Sequence, residues 1–499
     1  MAETIGLIAL NAVGITEIAG FSITAGTASI VGNVVIATAL IGISLANQPE
    51  GPKAQDGQLV TRQALPKRRR HYGLVKVAGP LLFSETREGA RYQIIAINQG
   101  EIDSFVDHWM TDTHVILNGS GQVINAYIID DQHFVQIQPD RGVPDATAFA
   151  TLLSRFPEIW TAAHRGRSIA KVLTITTQPS EAKQFTTVYN GAQPPAYRAV
   201  IRSSKVWDPR DTSQARNDPS SWKFSSNPVL HILDYHRVPD GMGLAVYDNI
   251  FFTEAAIAED WIPAANICDN GVPLAAGGSE PRYASAGGYE LATPPKQVLA
   301  AMFATCDGQA YQRADGAIGI RVGFEINPVV EIPDEHILSY DGMQRGPSDS
   351  LIPVNQITAK YTARNLDYQL TDADAWRDED AISDAGREET RDIDLSWVPS
   401  HSQARRLMKI EFARKTPEWS GQITTNLHGI RAYSERFVRL RIAELGIDGT
   451  FEIVPGSFEI NTESMTCSMS VSSMDQSAYA WNPAEEEGDE PQAPPETDF

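Results

Sequence analysis

The chain has few cysteines and few positive charges for its 499 residues. Its three cysteines, Cys268, Cys306 and Cys467, are far apart and form no C-x-x-C pair. This spacing argues against a disulfide framework or a zinc site and is consistent with folding in a reducing cytoplasm. Lys and Arg total 41 against 63 Asp and Glu, which gives a formal net charge of −22. That balance argues against a clamp on duplex DNA, because an acidic wall repels DNA that passes along it.

Sequence motifs of the common enzyme chemistries are also absent. No P-loop, G-x-G-x-x-G or G-x-S-x-G motif occurs where a strand and a helix would support it. His108 and His114 lie near Asp107 and Asp112, which suggests a metal site. The two histidines are six positions apart, however, which is too far along a strand to share one ion without a bend.

The carboxylate-rich stretches give no stronger signal. Residues 372–384 lack the spacing of a calcium-binding loop, so a solvated loop is the better interpretation. Asp145 and Glu158 could be paired as glycosidase carboxylates, but any acidic protein offers such pairs. Residues 334–336, Asp-Glu-His, predict a turn that starts a helix. We therefore predict no catalytic, cofactor-binding or metal-binding residues, and no enzymatic activity.

The N-terminal segment, residues 1–50, is the longest apolar stretch, with no charged residue between Ile18 and Pro49. As a helix, the uncharged residues 18–49 would be about 48 Å long, which exceeds a bilayer core of roughly 30 Å. Its acidic start differs from a signal peptide, and Lys67–Arg70 would stay on the cytoplasmic side of a membrane. Its many glycines instead favour helices that pack closely on one another. A membrane anchor and a self-packing helical bundle therefore both remain open.

The remainder of the chain contains signals for many short strands and a few helices. It has 30 prolines and 37 glycines with 42% hydrophobic residues, a composition typical of several β-rich domains. Alternating or short apolar runs predict strands at residues 58–63, 72–78, 81–83, 92–97, 171–176, 199–201 and 355–361. Glycine turns predict a hairpin over residues 309–320.

Five segments have helical spacing. Residues 145–155 follow Asp145 as a cap, and a helix that begins at Pro228 is capped by Asn227 and ends before Gly241. The others span residues 253–268, with Pro263 kinking or shortening the helix, residues 294–305, and a segment capped by Ser400 or Ser402 that stops at Thr416. Residues 434–445 fit either a helix or a strand.

Several of these signals occur together as an ordered set of motifs. They are K-V-W-D-P-R at 205–210, S-N-P followed by L-D-Y at 226–235, G-M-G at 241–243, R-D-E-D-A-I at 377–382 and S-Q-A-R-R-L at 402–407. An earlier stretch, V-T-R-Q through Y-G at 60–73, precedes them. This order resembles the hub portion of tailed-phage tail-tip proteins, the lambda-like tip attachment family that also occurs in prophages and gene-transfer particles.

The resemblance implies an α+β, mostly β, multidomain hub of β-barrel-like domains with small α+β insertions, plus an N-terminal apolar helical segment. The expected divisions are an apolar segment at 1–50, part of a first hub β domain at 58–119, an α+β insertion at 120–200, a hub α+β region with the Asn-Pro helix at 200–350, a β-rich hub domain at 351–480 and an acidic disordered tail at 481–499. Composition supports the last, since residues 482–499 carry seven acidic and no basic residues.

The resemblance further implies a homotrimer at the virion tail tip, assembled in the bacterial host cytoplasm. Its expected partners are a distal tail protein, a tape-measure protein and a separate fibre or spike protein. DNA would pass without sequence-specific binding, and residues 18–46 could contact the host membrane. Long family members continue into fibronectin-like and receptor-binding domains that this sequence does not include. A tail-associated cell-wall hydrolase and a membrane-anchored envelope protein remain as alternatives. Lys205 and Arg210 are expected to hold a turn at Asp208.

Overall fold

The structure, a computed structural model, describes residues 67–180, 182–189, 195–347 and 354–492, with two further short strands at Glu17–Ile18 and Phe21–Ser22. The predicted class is confirmed, because several sheets and a smaller share of helix pack around separate apolar cores. Three units follow one another, which we call the first β unit, the central unit and the C-terminal half-barrel. The domain limits given above stay a prediction.

The first β unit consists of two antiparallel sheets. One contains the strands Leu81–Arg87, Ala90–Gln99, Ile169–Thr177 and Val135–Asp140. The other contains Thr113–Val115, Ile102–Met110, Tyr197–Val206, Lys223–Phe224 and Leu74–Val77. Smaller elements of this region are Ile128–Ile129, Gln132–His133, Ala182–Val188 and a turn at Pro219–Ser221. Strands from both sides of residue 120 therefore share one sheet.

The strand Ile169–Thr177 does not alternate between apolar and polar residues, because both of its faces are buried. Ala170 and Val172 face the core between the two sheets, while Leu173 and Ile175 face a second cluster on the opposite side. A strand covered on both faces is apolar at nearly every position. The second cluster is closed by the helix Ala150–Arg155.

That helix corrects one prediction. The helix expected over 145–155 begins only at Ala150, after Phe149, and has no side-chain cap, while Asp145 is exposed in a preceding turn. Ala146 and Ala148 are buried, and Thr147 between them is exposed. The chain is therefore extended with alternate side chains in the core, and tertiary packing overrides the local capping signal.

The central unit is built around the predicted Asn-Pro helix, Pro228–Arg237. The Asn227 side chain accepts a hydrogen bond from the Val229 amide and its Nδ2 donates to the Ala265 carbonyl, so the cap also joins two helices. The helix ends before Pro239, and Gly241 contacts the Tyr235 carbonyl so closely that a side chain there has no room. Short elements follow at Leu244–Tyr247, Asp248–Phe251, Gly271–Pro273, Ser279–Pro281 and Gly287–Glu290, the last paired with Arg69–Tyr72.

The helix predicted over 253–268 is present but irregular. It comprises Glu254–Ala256, a π-helical turn at Ile257–Trp261 and a regular part at Ile262–Asp269. Pro263 cannot donate a backbone hydrogen bond, and the chain adapts by widening the turn ahead of it. Trp261 is fully buried at this turn, and its indole nitrogen donates to the Ile318 carbonyl.

The other predicted elements of the central unit are confirmed. The helix Pro295–Ala304 buries Val298, Leu299 and Met302, and the hairpin Gln309–Gln312 with Ile318–Arg321 follows it. Strand Gln356–Ala363 pairs with Gln369–Asp372, Trp376–Arg377 and Thr390–Leu395. The long helix His401–Lys415 is capped by Ser400, one of the two predicted caps. The solvated loop predicted over residues 372–384 is wrong in part, because Trp376–Arg377 is a strand and Glu379–Ala385 is a helix whose cap, Asp378, accepts a hydrogen bond from the Ala381 amide. A three-residue 3₁₀ turn at Arg364–Leu366 follows the strand Gln356–Ala363.

The C-terminal half-barrel has the strand order Val330–Ile332, Phe437–Ile442, Ile447–Ile453, Thr466–Ser473, Trp419–Asn426 and Ile337–Ser339. Gln344–Arg345 and Glu459–Asn461 extend it, and helical turns lie at Leu427–Ala432 and Ala443–Leu445. Its two outermost strands are consecutive in sequence, joined by the predicted turn at Asp334–His336, so the sheet curls around its core. Residues 434–445, which fitted helix or strand, contain the strand Phe437–Ile442.

Both chain ends differ from expectation where they are described. Glu17–Ile18 and Phe21–Ser22 pair as strands, which is incompatible with helix at those positions. The rest of the predicted N-terminal helix and the predicted strand at 58–63 lie outside the described residues. No helix within the described part of the chain has the length and apolarity to cross a membrane.

The prediction of a disordered tail is wrong for residues 481–492. After the turn Gln476–Tyr479, the short helix Pro483–Glu486 packs on the long helix. Acidic composition predicts disorder because such a segment cannot form a core of its own. Here it needs none, since basic side chains of the central unit bind it. Residues 493–499 lie outside the described residues.

Candidate functional site

The distant sequence motifs meet at a buried junction between the strand Arg69–Tyr72, which pairs with Gly287–Glu290, and the Asn-Pro helix. Arg70 Nη2 lies 2.8 Å from Asp234 Oδ2, and the Tyr72 hydroxyl donates to the same oxygen at 2.7 Å. Asp240 lies 3.9 Å from Arg70, and its carbonyl accepts a hydrogen bond from the Tyr289 hydroxyl at 3.0 Å. The stretch at 60–73 and the L-D-Y motif are therefore two halves of one contact.

Burial keeps the neighbouring groups of this junction in their neutral forms. It raises the pKa of Tyr72 well above its usual value, so the phenol stays a hydrogen-bond donor. It lowers the pKa of His231 to about 4, and that ring bonds Ser285 at 2.5 Å and the Ser225 carbonyl at 2.9 Å. The pKa of His71 is likewise lowered by burial to about 4. Proton exchange at neutral pH therefore does not disturb the junction.

The K-V-W-D-P-R motif has the structural role that its residues predict. Lys205 pairs with Glu101 at 2.9 Å on the neighbouring strand. Arg210 pairs with Asp208 at 2.8 Å across the turn and with Asp269 at 2.7 Å. Trp207 is covered by Arg237, whose guanidinium carbon lies 5.0 Å from the ring centroid. These contacts fix the direction in which the chain enters the central unit.

A second buried junction, which we call the charge clamp, joins the central unit to the half-barrel. It comprises Asp307, Arg414, Arg436 and Glu452. Asp307 accepts from Arg414 at 2.9 Å and from Arg436 at 2.8 Å. Glu452 accepts from the same two arginines at 2.9 Å each. Two carboxylates and two guanidinium groups thus alternate in a closed ring.

The charge clamp also collects two further elements. Glu411 accepts from Arg414 at 3.1 Å, one turn earlier on the long helix. The Tyr479 hydroxyl donates to Asp307 at 2.8 Å, which fixes the C-terminal segment to the body. Burial alone would raise the pKa of Asp307 and Glu452, but Arg436 and Arg414 outweigh it and lower both. All four groups are therefore charged, and each is bound by oppositely charged partners.

An open cleft of about 700 Å³ lies beside the charge clamp. One wall comes from the central unit and is largely apolar, with Phe303, Leu395, Leu407 and Ile410. The other comes from the half-barrel and is lined by polar side chains, Ser420, Gln422, Ser470 and Ser472. The clamp thus holds the two units together at one end of an incompletely filled interface.

The structure separates the residues that could have suggested a metal or catalytic site. His108 bonds the Tyr197 hydroxyl at 2.7 Å, and His114 lies 3.2 Å from Asp107. Burial lowers the pKa of His108 to about 4. Glu158 pairs with Arg87 rather than with Asp145. Within the described ranges, no three His, Cys, Asp or Glu residues are grouped so that they could hold a metal ion.

The charge clamp was not predicted from the sequence. Its members are spread over residues 307–452, and no spacing relates them. The available signal is weak: Glu411 and Arg414 are charged residues next to apolar positions of a helix that is buried along most of its length.

Together the fold and its junctions define a mostly β, multi-unit protein whose units are held in fixed orientation by buried ion pairs. No family model matches the chain, and no curated protein sequence matches it significantly.

Among solved structures, a chain from the virion of a native gene transfer agent particle aligns with a TM-score of 0.57 at 12% identity, over 94% of this chain and 96% of that chain. The two share a fold along nearly their whole lengths. The tail protein from Neisseria meningitidis MC58 aligns with a TM-score of 0.30 at 11% identity, over 82% of this chain and 96% of that chain. The 43 kDa tail protein of prophage MuSo2 from Shewanella oneidensis aligns with a TM-score of 0.28 at 10% identity, over 83% of this chain and 100% of that chain. These last two scores carry no structural argument.

We expect Arg436→Met to destabilise the folded chain by about 3–5 kcal/mol, because it leaves two buried carboxylates short of a partner. The measurement is urea unfolding at pH 7, followed by intrinsic tryptophan fluorescence. Arg439→Met is the matched control, since Arg439 lies three residues further on, in the strand Phe437–Ile442, and pairs with Asp448 while half exposed. It should cost less than about 1 kcal/mol. Equal effects of the two variants would contradict the role of the clamp.

Acid should weaken the same junction. The folded-state pKa values of Asp307 and Glu452 are lowered, so their stabilisation is complete above the ordinary carboxyl values of about 4 and is lost as the pH falls through the lower values. We expect the difference in unfolding free energy between the wild-type chain and Arg436→Met to shrink as the pH is lowered from 7 to 3. A difference that stays constant over this range would exclude clamp titration as its source.

Proposed function

We propose that this chain is a structural protein of a phage-type tail and, more specifically, the central hub of the tail tip. The observation that carries the proposal is the fold shared with a gene transfer agent virion chain over 94% of this sequence. The ordered motifs of the sequence support the finer assignment, and two of them form the buried Arg70–Asp234 junction. In this role three copies close the tail tube and open it for DNA ejection into the host.

The physical properties of the chain suit this role. Units that are locked by buried charge networks keep their relative orientation under load, which a ring subunit requires. The net charge of −22 disfavours adhesion of DNA that passes through the ring. The hub would connect the distal tail and tape-measure proteins to a separate fibre or spike.

Exposed apolar side chains offer surfaces for such contacts. Val329 is 75% exposed and Leu338 59% exposed, both on the half-barrel, and Val246 is 77% exposed on the central unit. Contiguous apolar patches mark protein interfaces, whereas singly exposed apolar side chains are common on any protein surface, so these residues carry no weight in the proposal by themselves. Catalysis has no part in the proposal, and residues 18–46 are its candidate for contact with the host membrane.

The purified chain should have a solution mass three times its 54.6 kDa, measured by light scattering after gel filtration. We expect the trimer to persist when residues 1–50 are removed, because the proposed interface lies in the β-rich units. A chain that associates only through residues 1–50, and only in detergent, would favour the membrane-anchored alternative instead.

The position in the particle can be tested directly. Gold-labelled antibodies against the half-barrel should mark one end of the tail in particles from producing cells, as seen by negative-stain electron microscopy. Particles lacking the chain should not be marked. Label along the tail tube, or label on cell envelopes in the absence of particles, would contradict the hub assignment.

A further inference from the structure

Three buried histidines lie at the Arg70–Asp234 junction and have no part in the proposed function. His231 and His236 belong to the Asn-Pro helix, and His71 belongs to the strand on the other side of the junction. His231 and His236 are fully buried, and His71 is only 5% exposed. Histidine is the side chain that changes charge closest to neutral pH, so these rings decide how the junction responds to acid.

His236 cannot accommodate a second proton while its helix is docked. Its Nδ1 donates to the Ile232 carbonyl at 2.7 Å, and its Nε2 is buried without a hydrogen-bond partner among the described residues. The ring makes edge contacts with Phe252 and Trp261, at centroid distances of 5.9 Å and 6.1 Å. A proton on Nε2 would therefore place a charged donor in an apolar pocket that offers no acceptor, which is costly.

His231 is also held in its neutral form. Its Nε2 lies 2.9 Å from the Ser225 carbonyl, which can only accept, so this nitrogen carries the proton. Its Nδ1 then accepts from the Ser285 hydroxyl at 2.5 Å, and the ring stacks on Tyr72 with 4.9 Å between centroids. A second proton on His231 would remove the acceptor that Ser285 uses and would place a positive charge near Arg70.

His71 is enclosed on the strand side of the junction. Its backbone amide and its Nδ1 both donate to the Asn98 side-chain oxygen, at 2.7 Å and 3.2 Å. It faces Gly288 on the paired strand, where a Cβ would lie only 2.2 Å from the ring carbon Cδ2. The ring is therefore packed directly against a neighbouring backbone.

The charged groups on the elements packed against these rings are engaged with one another. They form the ion pairs of Arg70 with Asp234 and Asp240, Arg69 with Glu290, Arg237 with Asp248, Arg216 with Glu254, and Arg313 with Glu259 and Asp260. Burial raises the pKa values of the nearby phenols, Tyr72, Tyr235 and Tyr289, which therefore stay neutral. Burial also dominates at the three histidines and lowers the pKa of each to about 4.

The direction of the pH effect follows from these values. A histidine in the unfolded chain has a pKa of about 6.5, whereas in the closed junction the pKa is about 4. Between these values the released helix binds more protons than the docked helix, so proton uptake favours release. The closed junction thus has its full stability above about pH 6.5 and loses it progressively as the pH falls toward about 4.

We propose that the Arg70–Asp234 junction is an acid-sensitive contact, which is closed at neutral pH and opens below about pH 6. The driving force for opening is the uptake of protons by His71, His231 and His236 when the Asn-Pro helix leaves its buried position. Opening separates Arg70 from Asp234 and releases the strand Arg69–Tyr72 from the helix. The inference does not depend on the proposed function, because it concerns one contact within the chain.

Amide hydrogen exchange of the full chain at pH 7 and pH 5, followed by mass spectrometry, tests the junction. Exchange rates are first corrected for the intrinsic effect of pH on an unfolded peptide. A pKa that changes from about 4 to about 6.5 on release makes opening roughly twentyfold more favourable at pH 5 than at pH 7 for each histidine. We expect the protection of the helix Pro228–Arg237 to fall by at least this factor.

The helix Pro295–Ala304 is the control within the same unit, because it also has ten residues and contains no histidine. Its protection should change much less between the two pH values. An equal loss of protection in both helices would show that acid unfolds the whole unit, and it would overturn a local acid-sensitive contact.

Two variants of His236 link the effect to its ring. His236→Phe fills the same apolar pocket and cannot take up a proton, and His236→Asn keeps a donor for the Ile232 carbonyl. In each variant the loss of protection between pH 7 and pH 5 should be roughly twentyfold smaller than in the wild-type chain, whatever the protection at pH 7.

His164→Asn makes the same kind of change at an exposed position of the first β unit and is the matched control. Its loss of protection in the Asn-Pro helix should equal that of the wild-type chain. The proposal is wrong if the wild-type helix keeps its protection at pH 5, or if both His236 variants lose as much protection as the wild-type chain.

Discussion

The orientation of the half-barrel depends on the charge clamp. Asp307, Arg414, Arg436 and Glu452 neutralise one another at distances of 2.8–2.9 Å in a buried setting. An unpaired charge in this buried position would carry a large desolvation penalty, so each member of the clamp requires its oppositely charged partners. Asp307 follows the helix Pro295–Ala304, Arg414 lies on the long helix, and Arg436 and Glu452 belong to the half-barrel. Because the clamp joins all of these elements, they can adopt only a narrow range of relative positions.

The other features of the molecule are arranged around that constraint. The cleft lies beside the clamp, between the central unit and the half-barrel. The Tyr479 hydroxyl donates to Asp307 and so fixes the chain just before residues 481–492. Within the central unit, Arg70 and Asp234 form another buried ion pair, which joins the strand Arg69–Tyr72 to the Asn-Pro helix. Buried ion pairs of this kind hold neighbouring units in specific relative orientations, because their hydrogen bonds are directional and each charge needs an opposite partner.

Local signals predicted elements well where the local sequence also controls the packing. Asn227 and Pro228 define the start of their helix, Pro295 begins a second helix and Ser400 caps a third. The glycine turn near Gly316 produces the expected hairpin. Prediction was wrong where tertiary contacts outweighed such signals. Asp145 caps no helix, because Ala146 and Ala148 enter the core from an extended chain. The acidic residues 481–492 are ordered because Arg405 and Lys409 bind them.

The sequence by itself determined the class of fold, the main helices with their caps, and an order of motifs that suggests a tail hub. These depend on short-range chemistry: side chains that bond nearby amides, and apolar spacing that matches a strand or helix period. Only the tertiary structure decided which charges are buried together, where the cleft opens and where the tail docks. Those outcomes join residues more than a hundred positions apart, such as Asp307 and Arg436. No local pattern encodes such a pairing, because it depends on how the whole chain closes.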